Sequence, residues 1–127
     1  MARRVLIVED DPDNAYVLGA MCERGGYQVL TAPDGERALA LMMATPVDVV
    51  LLDVRLPGLD GVSVLMRMRA DRRLRRIPVV FQTALATLEK QASLRALGPQ
   101  GLLVKPFSRL ALLEAIGQAV ECQASGA

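Results

Sequence analysis

Aliphatic residues recur along this chain in five short runs, and each run is followed by a segment with the apolar spacing of an amphipathic helix. The runs predict strands at residues 4–8, 27–31, 47–53, 77–82 and 101–104. The spacing predicts helices at residues 14–24, 35–44, 61–70, 86–97 and 109–120. Because strand and helix alternate five times, we expect right-handed crossovers, a parallel sheet and helices on both of its faces.

Four of the predicted helices carry apolar residues on one face that we expect to face the core. In the first helix these are Val17, Leu18, Met21 and Cys22, and in the third they are Val62, Leu65 and Met66. In the second they are Ala38, Leu41 and Met42, and in the fifth they are Leu112, Leu113, Ile116 and Val120. Asp60 and Ser108 stand where a side chain can cap the third and fifth helices.

The third run is the most apolar part of the chain. No polar residue interrupts it from Val49 to Leu52, and Asp53 stands at its end. This pattern predicts a strand that is buried on both faces and has an acid at its carboxyl end. Ligands bind at that edge of open α/β sheets, so Asp53 is the leading candidate for the functional residue.

Length and composition limit the organisation of the chain. The 127 residues, of which 52% are hydrophobic, fit one domain, predicted at residues 1–121 and followed by a flexible tail at 122–127. The net charge of +1 predicts no direct binding of nucleic acid or membrane. There is no signal-peptide pattern and no apolar run of the roughly 18 residues that a membrane span needs, so we expect a cytoplasmic protein.

The residues that are missing or isolated exclude several kinds of chemistry. The chain has no histidine, which excludes a histidine base, a histidine metal ligand and a histidine-activated nucleophile. Cys22 and Cys122 are far apart in sequence and have neither disulfide nor metal spacing. Any activity therefore depends on carboxylates, hydroxyls and lysine.

Residues 67–76 include six arginines. The main interpretation is a solvated helix end and loop, since cations favour a helix C-terminus. A docking patch for an acidic partner is the alternative. Nucleic acid is a weaker interpretation, because no aromatic residue lies among the arginines for base stacking.

Polar residues of complementary kinds follow four of the five predicted strands. They are Glu9 with Asp10, then Asp53, Thr83 and Lys105. The acids before Pro12 have an alternative interpretation as a helix cap, and so does Thr83. Lys105 is one of only two lysines in a chain rich in arginine, which favours a need for a compact ammonium group.

These residues meet if the sheet is parallel, because all carboxyl ends then lie along one edge. Oxygen ligands from two or three carboxylates suffice for Mg2+. A carboxylate can also form an aspartyl-phosphate, whose oxygens a cation, a hydroxyl and an ammonium would stabilise. The set therefore favours phosphoryl transfer to Asp53.

The same residues resemble the receiver domain of bacterial two-component response regulators. The resemblance covers nearly the whole chain and is carried by Glu9-Asp10, Asp53 with Pro57-Gly58 and Asp60-Gly61, Thr83-Ala84, and Lys105-Pro106-Phe107. It implies a flavodoxin-like (βα)5 three-layer sandwich with the five parallel strands in the order 2-1-3-4-5.

The resemblance also implies roles for individual residues. Asp53 would accept a phosphoryl group from a histidine kinase or a histidine phosphotransfer protein, and Thr83 and Lys105 would contact the phosphoryl oxygens. The resemblance further implies a cis Lys105-Pro106 bond. Mg2+ would be held by Asp10, Asp53, Glu9 mostly through water, and the backbone carbonyl of Arg55.

The resemblance implies a partner-binding protein. A downstream effector would bind the surface of the fourth helix, last strand and last helix, and the chain would be a monomer or a weak phosphorylation-dependent dimer. No enzymatic activity is expected beyond its own phosphorylation and dephosphorylation. One position departs from the family pattern: Leu102 stands where many receivers have the Tyr or Phe that swings inward as the threonine shifts.

Several alternatives stay open at this point. The leading hypothesis is a stand-alone receiver similar to chemotaxis and cell-cycle regulators, and the runner-up is a receiver from a longer regulator or hybrid kinase. A small Mg2+-dependent phosphatase is less favoured because no substrate-pocket motif is visible. A flavin carrier is disfavoured by the scarcity of aromatic residues, and a phosphorylation-independent scaffold by the complete set of acids, threonine and lysine.

Overall fold

The computed structural model describes residues 2–84 and 87–125, with side-chain surroundings as far as Glu121. Its strands are β1 (Arg4–Val8), β2 (Gln28–Ala32), β3 (Val49–Asp53), β4 (Val79–Thr83) and β5 (Gly101–Val104). Its helices are α1 (Pro12–Arg24), α2 (Gly35–Ala44), α3 (Gly61–Ala70), α4 (Leu88–Arg95) and α5 (Arg109–Ser125).

The five strands form one parallel sheet in the order β2-β1-β3-β4-β5. The predicted flavodoxin-like fold and its strand order are therefore confirmed. The central strand β3 pairs with β1 on one side and β4 on the other, and all five of its residues are buried.

Consecutive strand residues face opposite sides of the sheet, so each strand supplies two cores. Leu52 and Phe81 belong to the core under α2 and α3, whereas Leu51 and Val80 belong to the core under α1 and α5. A run without polar residues is what a strand covered on both faces requires, which is why the aliphatic runs marked the strands.

The boundaries of six elements differ from the sequence prediction by one to five residues: α1, β2, β3, β4, α4 and α5. Helix α4 begins at Leu88 because the side chain of Thr87 accepts a hydrogen bond from Lys90 N at 3.2 Å and caps the helix. The predicted start at residue 86 lies outside the described residues. Strand β4 begins at Val79, two residues later than predicted.

Two predicted core residues are wrong. Val17 is 50% exposed and Met66 is 43% exposed, so both point to solvent. The spacing of apolar residues predicted the two helices correctly. In each helix, however, one apolar residue at the edge of the apolar face was assigned to the core and is exposed instead. The buried residues of α3 are Gly61, Val64, Leu65 and Met68.

The last helix passes the predicted domain end at residue 121. Helical backbone continues to Ser125, so the predicted flexible tail at 122–127 overlaps α5. The side chain of Cys122 and residues 126–127 lie outside the described part of the chain, whereas Cys22 is a buried free thiol. No helix among the described residues has the length and hydropathy to cross a membrane.

Candidate functional site

The polar residues at the strand ends lie together at the carboxyl edge of the sheet. Asp53 is the last residue of β3, and Thr83 is the last residue of β4, its neighbour. Glu9 and Lys105 directly follow β1 and β5. Glu9, Asp53 and Thr83 are 4%, 5% and 1% exposed, so this edge of the sheet holds acids that water barely reaches.

Three carboxylates form a cluster at this edge. One oxygen from each of Glu9, Asp10 and Asp53 lies within 4.8 Å of the other two. Glu9 is fixed on both sides, since its N–H donates to the Ala32 carbonyl at 3.0 Å and its Oε2 accepts from Asp11 N at 3.2 Å. Three converging oxygen donors fit a hard divalent cation such as Mg2+.

Lys105 joins the carboxylates to β4. Its Nζ lies 2.9 Å from Asp53 Oδ2 and 3.7 Å from Glu9 Oε1. Its backbone N–H donates to the Thr83 carbonyl at 2.8 Å, and the Lys105-Pro106 bond is cis, as predicted. The ammonium group therefore sits beside the carboxylate that sequence reasoning selected as the acceptor.

The loop after β3 holds the second oxygen of Asp53. Arg55 N donates to Asp53 Oδ1 at 3.0 Å, and Gly61 N donates to the Val54 carbonyl at 3.0 Å. A Cβ on Gly61 would overlap the Asp53 carbonyl oxygen and lie 2.8 Å from Val54 Cα. The start of α3 thus lies directly against the backbone of Asp53.

The assignment of the Arg55 carbonyl as a metal ligand stays a prediction.

Burial raises the pKa of Glu9 above its ordinary value, and the negative charge of Asp53 adds to this effect. The hydrogen bond from Asp11 N and the charge of Lys105 act in the opposite direction. Like-charged carboxylates in a partly desolvated cluster are stabilised by a nearby cation. The electrostatics therefore agree with a site built for positive charge.

The helix caps of α1 and α4 are formed by residues other than the candidate site residues Glu9, Asp10 and Thr83. Asp11 caps α1, since its side chain accepts from Asp13 N at 2.9 Å. Thr87 caps α4, so Thr83 does not have that role. Glu9 and Asp10 are thus not needed to begin the helix.

Gln82 is a residue of the site that sequence reasoning missed. It is 1% exposed, and its Nε2 has no hydrogen-bond partner among the described residues. Together with Glu9 and Lys105 it lines a cavity of about 310 Å3 between α1 and the segment after β5. The available signal was a single amide, at the end of the otherwise apolar run of residues 77–82.

Replacing this amide tests its energetic effect. We expect Gln82→Met to raise the free energy of unfolding by about 1 kcal/mol, because a buried Nε2 donor without a partner among the described residues is replaced by an apolar group in a side chain of similar length. Urea unfolding measures the change, and Gln118→Met on the exposed face of α5 should stay within about 0.5 kcal/mol of wild type. A less stable Gln82→Met protein would show that the amide contributes favourably.

The comparison with protein families gives one match over most of the chain. Residues 5–117 match the model described as "Response regulator receiver domain". The chain is 40% identical over 109 residues to the uncharacterized transcriptional regulatory protein YrkP of Bacillus subtilis, covering 85% of this chain and 45% of YrkP. The chain thus spans less than half the length of that relative.

Two other matches are closer in length. Protein PilH of Pseudomonas aeruginosa is 35% identical over 113 residues, which cover 89% of this chain and 93% of PilH. The receiver domain of sensor histidine kinase PA1611, also from Pseudomonas aeruginosa, superimposes with a TM-score of 0.86 at 33% identity and covers 95% of this chain and 99% of that one. That structure is described as having a magnesium ion coordinated in the active-site cleft.

Proposed function

Since this chain belongs to the response regulator receiver domain family of two-component signalling, we propose that Asp53 accepts a phosphoryl group from the histidine of a partner protein. The donor is a histidine kinase or a histidine phosphotransfer protein. The observation that carries this proposal is the setting of Asp53: one carboxylate oxygen contacts the Lys105 ammonium, and the carboxylate lies within 4.8 Å of Glu9 and Asp10.

The transfer follows from the chemistry of the side chains. A carboxylate oxygen of Asp53 attacks phosphorus, an O–P bond forms, and the P–N bond to the donor imidazole breaks with its electron pair passing to that nitrogen. Lys105 and the hydroxyl of Thr83 stabilise the negative charge of the phosphoryl oxygens. Charge stabilisation and positioning are the main requirements for this reaction.

The carboxylate cluster supports Mg2+ as the cofactor. Asp10 and Asp53 would hold the ion directly, Glu9 mostly through water, and the Arg55 carbonyl would complete the protein ligands. When bound, Mg2+ supplies positive charge that neutralises the carboxylates and the phosphoryl oxygens. Receiver domains act as signalling switches, so we propose no reaction beyond the domain's own phosphorylation and dephosphorylation.

The phosphorylated domain would present its α4-β5-α5 surface to an effector protein. Leu102 of β5 is half-buried and packs against the core under α2 and α3, where many receivers have a mobile aromatic residue. We therefore place the switch in Thr83 and the loop that follows it, and not in an aromatic rotation. The domain would act in the cytoplasm as a monomer or a weak phosphorylation-dependent dimer, without direct contact to nucleic acid or membrane.

Two organisations of the natural protein are supported by different relatives. The match over 93% of PilH favours a stand-alone receiver. The match over only 45% of YrkP favours a receiver within a longer regulator. The mass of the protein in an extract of its source cells, measured with an antibody against this domain, separates the two.

Acetyl phosphate tests the proposed function without an identified kinase. Incubation with acetyl phosphate and Mg2+ should add one phosphoryl group to the chain by mass spectrometry. Because the carboxylate cluster needs a cation, excess EDTA should prevent the addition. Labelling that is unaffected by EDTA would contradict the metal assignment, and a complete lack of labelling with Mg2+ present would contradict the proposed reaction.

A further inference from the structure

Positive charge is concentrated in one short segment of this chain. Residues 67–76 hold six arginines and one aspartate, whereas the rest of the chain holds nine basic and thirteen acidic residues. The segment is the end of α3 and the turns that lead to β4. A nearly neutral protein therefore has one strongly cationic region on a background of net negative charge.

Arg69 holds this segment in a defined conformation. Its Nη1 donates to the carbonyls of Arg75 at 3.0 Å and Ile77 at 2.9 Å, and its Nη2 donates to Gln100 Oε1 at 3.0 Å. Leu74 is 3% exposed and packs into the core under α2 and α3. The turns are thus anchored from inside by a guanidinium and a leucine.

A second arginine, Arg73, forms an ion pair with Asp71. Asp71 Oδ1 accepts from the backbone N–H of Arg73 at 2.9 Å, and the Arg73 guanidinium donates to both carboxylate oxygens at 3.2 Å. Two of the six arginines therefore serve the conformation of the segment itself.

The other four arginines have no such role. Their side chains are exposed and make no hydrogen bond or ion pair with any residue in the described part of the chain. We call them the arginine patch: Arg67, Arg72, Arg75 and Arg76. Unpaired guanidinium groups on a fixed backbone are ready to bind oxyanions in a forked geometry, at little entropic cost in the backbone.

The surface beside the patch is concave. Arg67 and Arg72 line a shallow depression of about 880 Å3 together with Ala70, Asp71 and Arg73. No large apolar side chain contributes to this lining. Its occupant must therefore be bound by charge and hydrogen bonds, without an apolar anchor or an aromatic stacking partner.

We propose that the arginine patch binds an acidic segment of another protein, with carboxylates paired to its guanidinium groups. A short segment fits the depression, where Arg67 and Arg72 of the patch are within its reach. A duplex nucleic acid or a bilayer extends well beyond ten residues of surface and meets the negative remainder of the chain. Arginine in place of lysine at every basic position of the segment also favours carboxylate pairing.

The patch lies at the opposite edge of the sheet from Asp53. Arg72, Arg75 and Arg76 precede β4, whereas Asp53 ends the neighbouring parallel strand β3, so they are separated from Asp53 by the length of β4, about 15 Å. Arg67 lies six residues beyond Gly61 in α3, about 9 Å along the helix from the turn that contacts Asp53. The Debye length at physiological ionic strength is about 8 Å, so the charge of a phosphoryl group is largely screened at the patch. Binding is therefore independent of phosphorylation and goes beyond the proposed receiver function.

Fluorescence anisotropy with a labelled oligoglutamate peptide tests this proposal. We expect binding by the wild-type chain that weakens at least tenfold as NaCl rises from about 50 to about 300 mM. Neutralising the patch in the quadruple variant R67Q/R72Q/R75Q/R76Q should weaken binding at low salt by more than about tenfold. Treatment with acetyl phosphate and Mg2+ should change the affinity less than about twofold.

A charge-matched control separates the patch from net charge. The variant R3Q/R24Q/R95Q/R109Q removes four exposed arginines that lie elsewhere in the fold, and it should bind within about threefold of wild type. Equal losses in both variants, or no binding by wild type, would overturn the proposal. Tighter binding to duplex DNA or to phosphatidylserine vesicles than to the peptide would also overturn it. Wild-type acetyl phosphate labelling of both variants verifies that they fold.

Discussion

Asp53→Asn is expected to abolish phosphorylation by acetyl phosphate. The substitution keeps the shape of the side chain but replaces the nucleophilic carboxylate oxygen with an amide nitrogen that does not attack phosphorus. It also removes one of the three carboxylates of the cluster and the partner that Lys105 contacts at 2.9 Å. Intact-mass spectrometry should find no phosphorylated species under conditions that label the wild-type chain.

Asp60→Asn is a matched control for this variant. Asp60 lies in the loop that follows Asp53 and caps α3 through a hydrogen bond from Ser63 N at 2.8 Å. Asparagine caps helices about as well as aspartate, so labelling and stability should match wild type. Continued labelling of Asp53→Asn would contradict the assignment, and peptide mapping would then identify the true acceptor.

Lys105→Arg is expected to slow acetyl phosphate labelling by at least about tenfold, although the positive charge remains. The ammonium group of Lys105 lies 2.9 Å from Asp53 and 3.7 Å from Glu9, and its side chain is only 30% exposed. A planar guanidinium is bulkier and spreads its donors over a fixed fork, so it does not place one donor at that point. The rate constant for phosphorylation of each protein by acetyl phosphate, compared under identical conditions, measures the effect.

Lys90→Arg provides the control, because Lys90 is the only other lysine and is exposed on α4. It should label at the wild-type rate. If Lys105→Arg also labels at that rate, the site needs only a positive charge, and the specific role of the ammonium group is wrong. Thermal unfolding of both variants would distinguish a slow site from a damaged fold.

Patterns in the sequence were sufficient for the five alternating strands and helices, whereas the strand order 2-1-3-4-5 came from the family resemblance. The aliphatic runs predicted five strands, and the parallel arrangement brought the residues after them to one edge. Local hydrogen-bonding rules also predicted the caps Asp60 and Ser108, which accept from Ser63 N at 2.8 Å and Ala111 N at 3.0 Å.

Features that depend on tertiary packing were not predictable in this way. The lack of a partner for Gln82 Nε2 among the described residues depends on which atoms of α1 and of the segment after β5 come near it. The exposure of Val17 and Met66 depends on how α1 and α3 are rotated about their axes against the sheet. The spacing of apolar residues predicts that rotation only to within about one residue at the edge of the apolar face. The interactions of Arg69 join residues up to 31 positions apart and have no sequence pattern.

The lack of a side chain at residue 61 restricts how this protein can diverge. Any Cβ there would overlap the Asp53 carbonyl oxygen, and neither that backbone nor Val54 can move aside as a flexible side chain would. Alanine at this position would either move α3 away from β3 or displace the backbone of Asp53, the phosphoryl acceptor. Any substitution of Gly61 is therefore expected to disturb the backbone of the acceptor, although this residue has no side chain to contact a phosphoryl group, and descendants of this sequence are expected to keep glycine there.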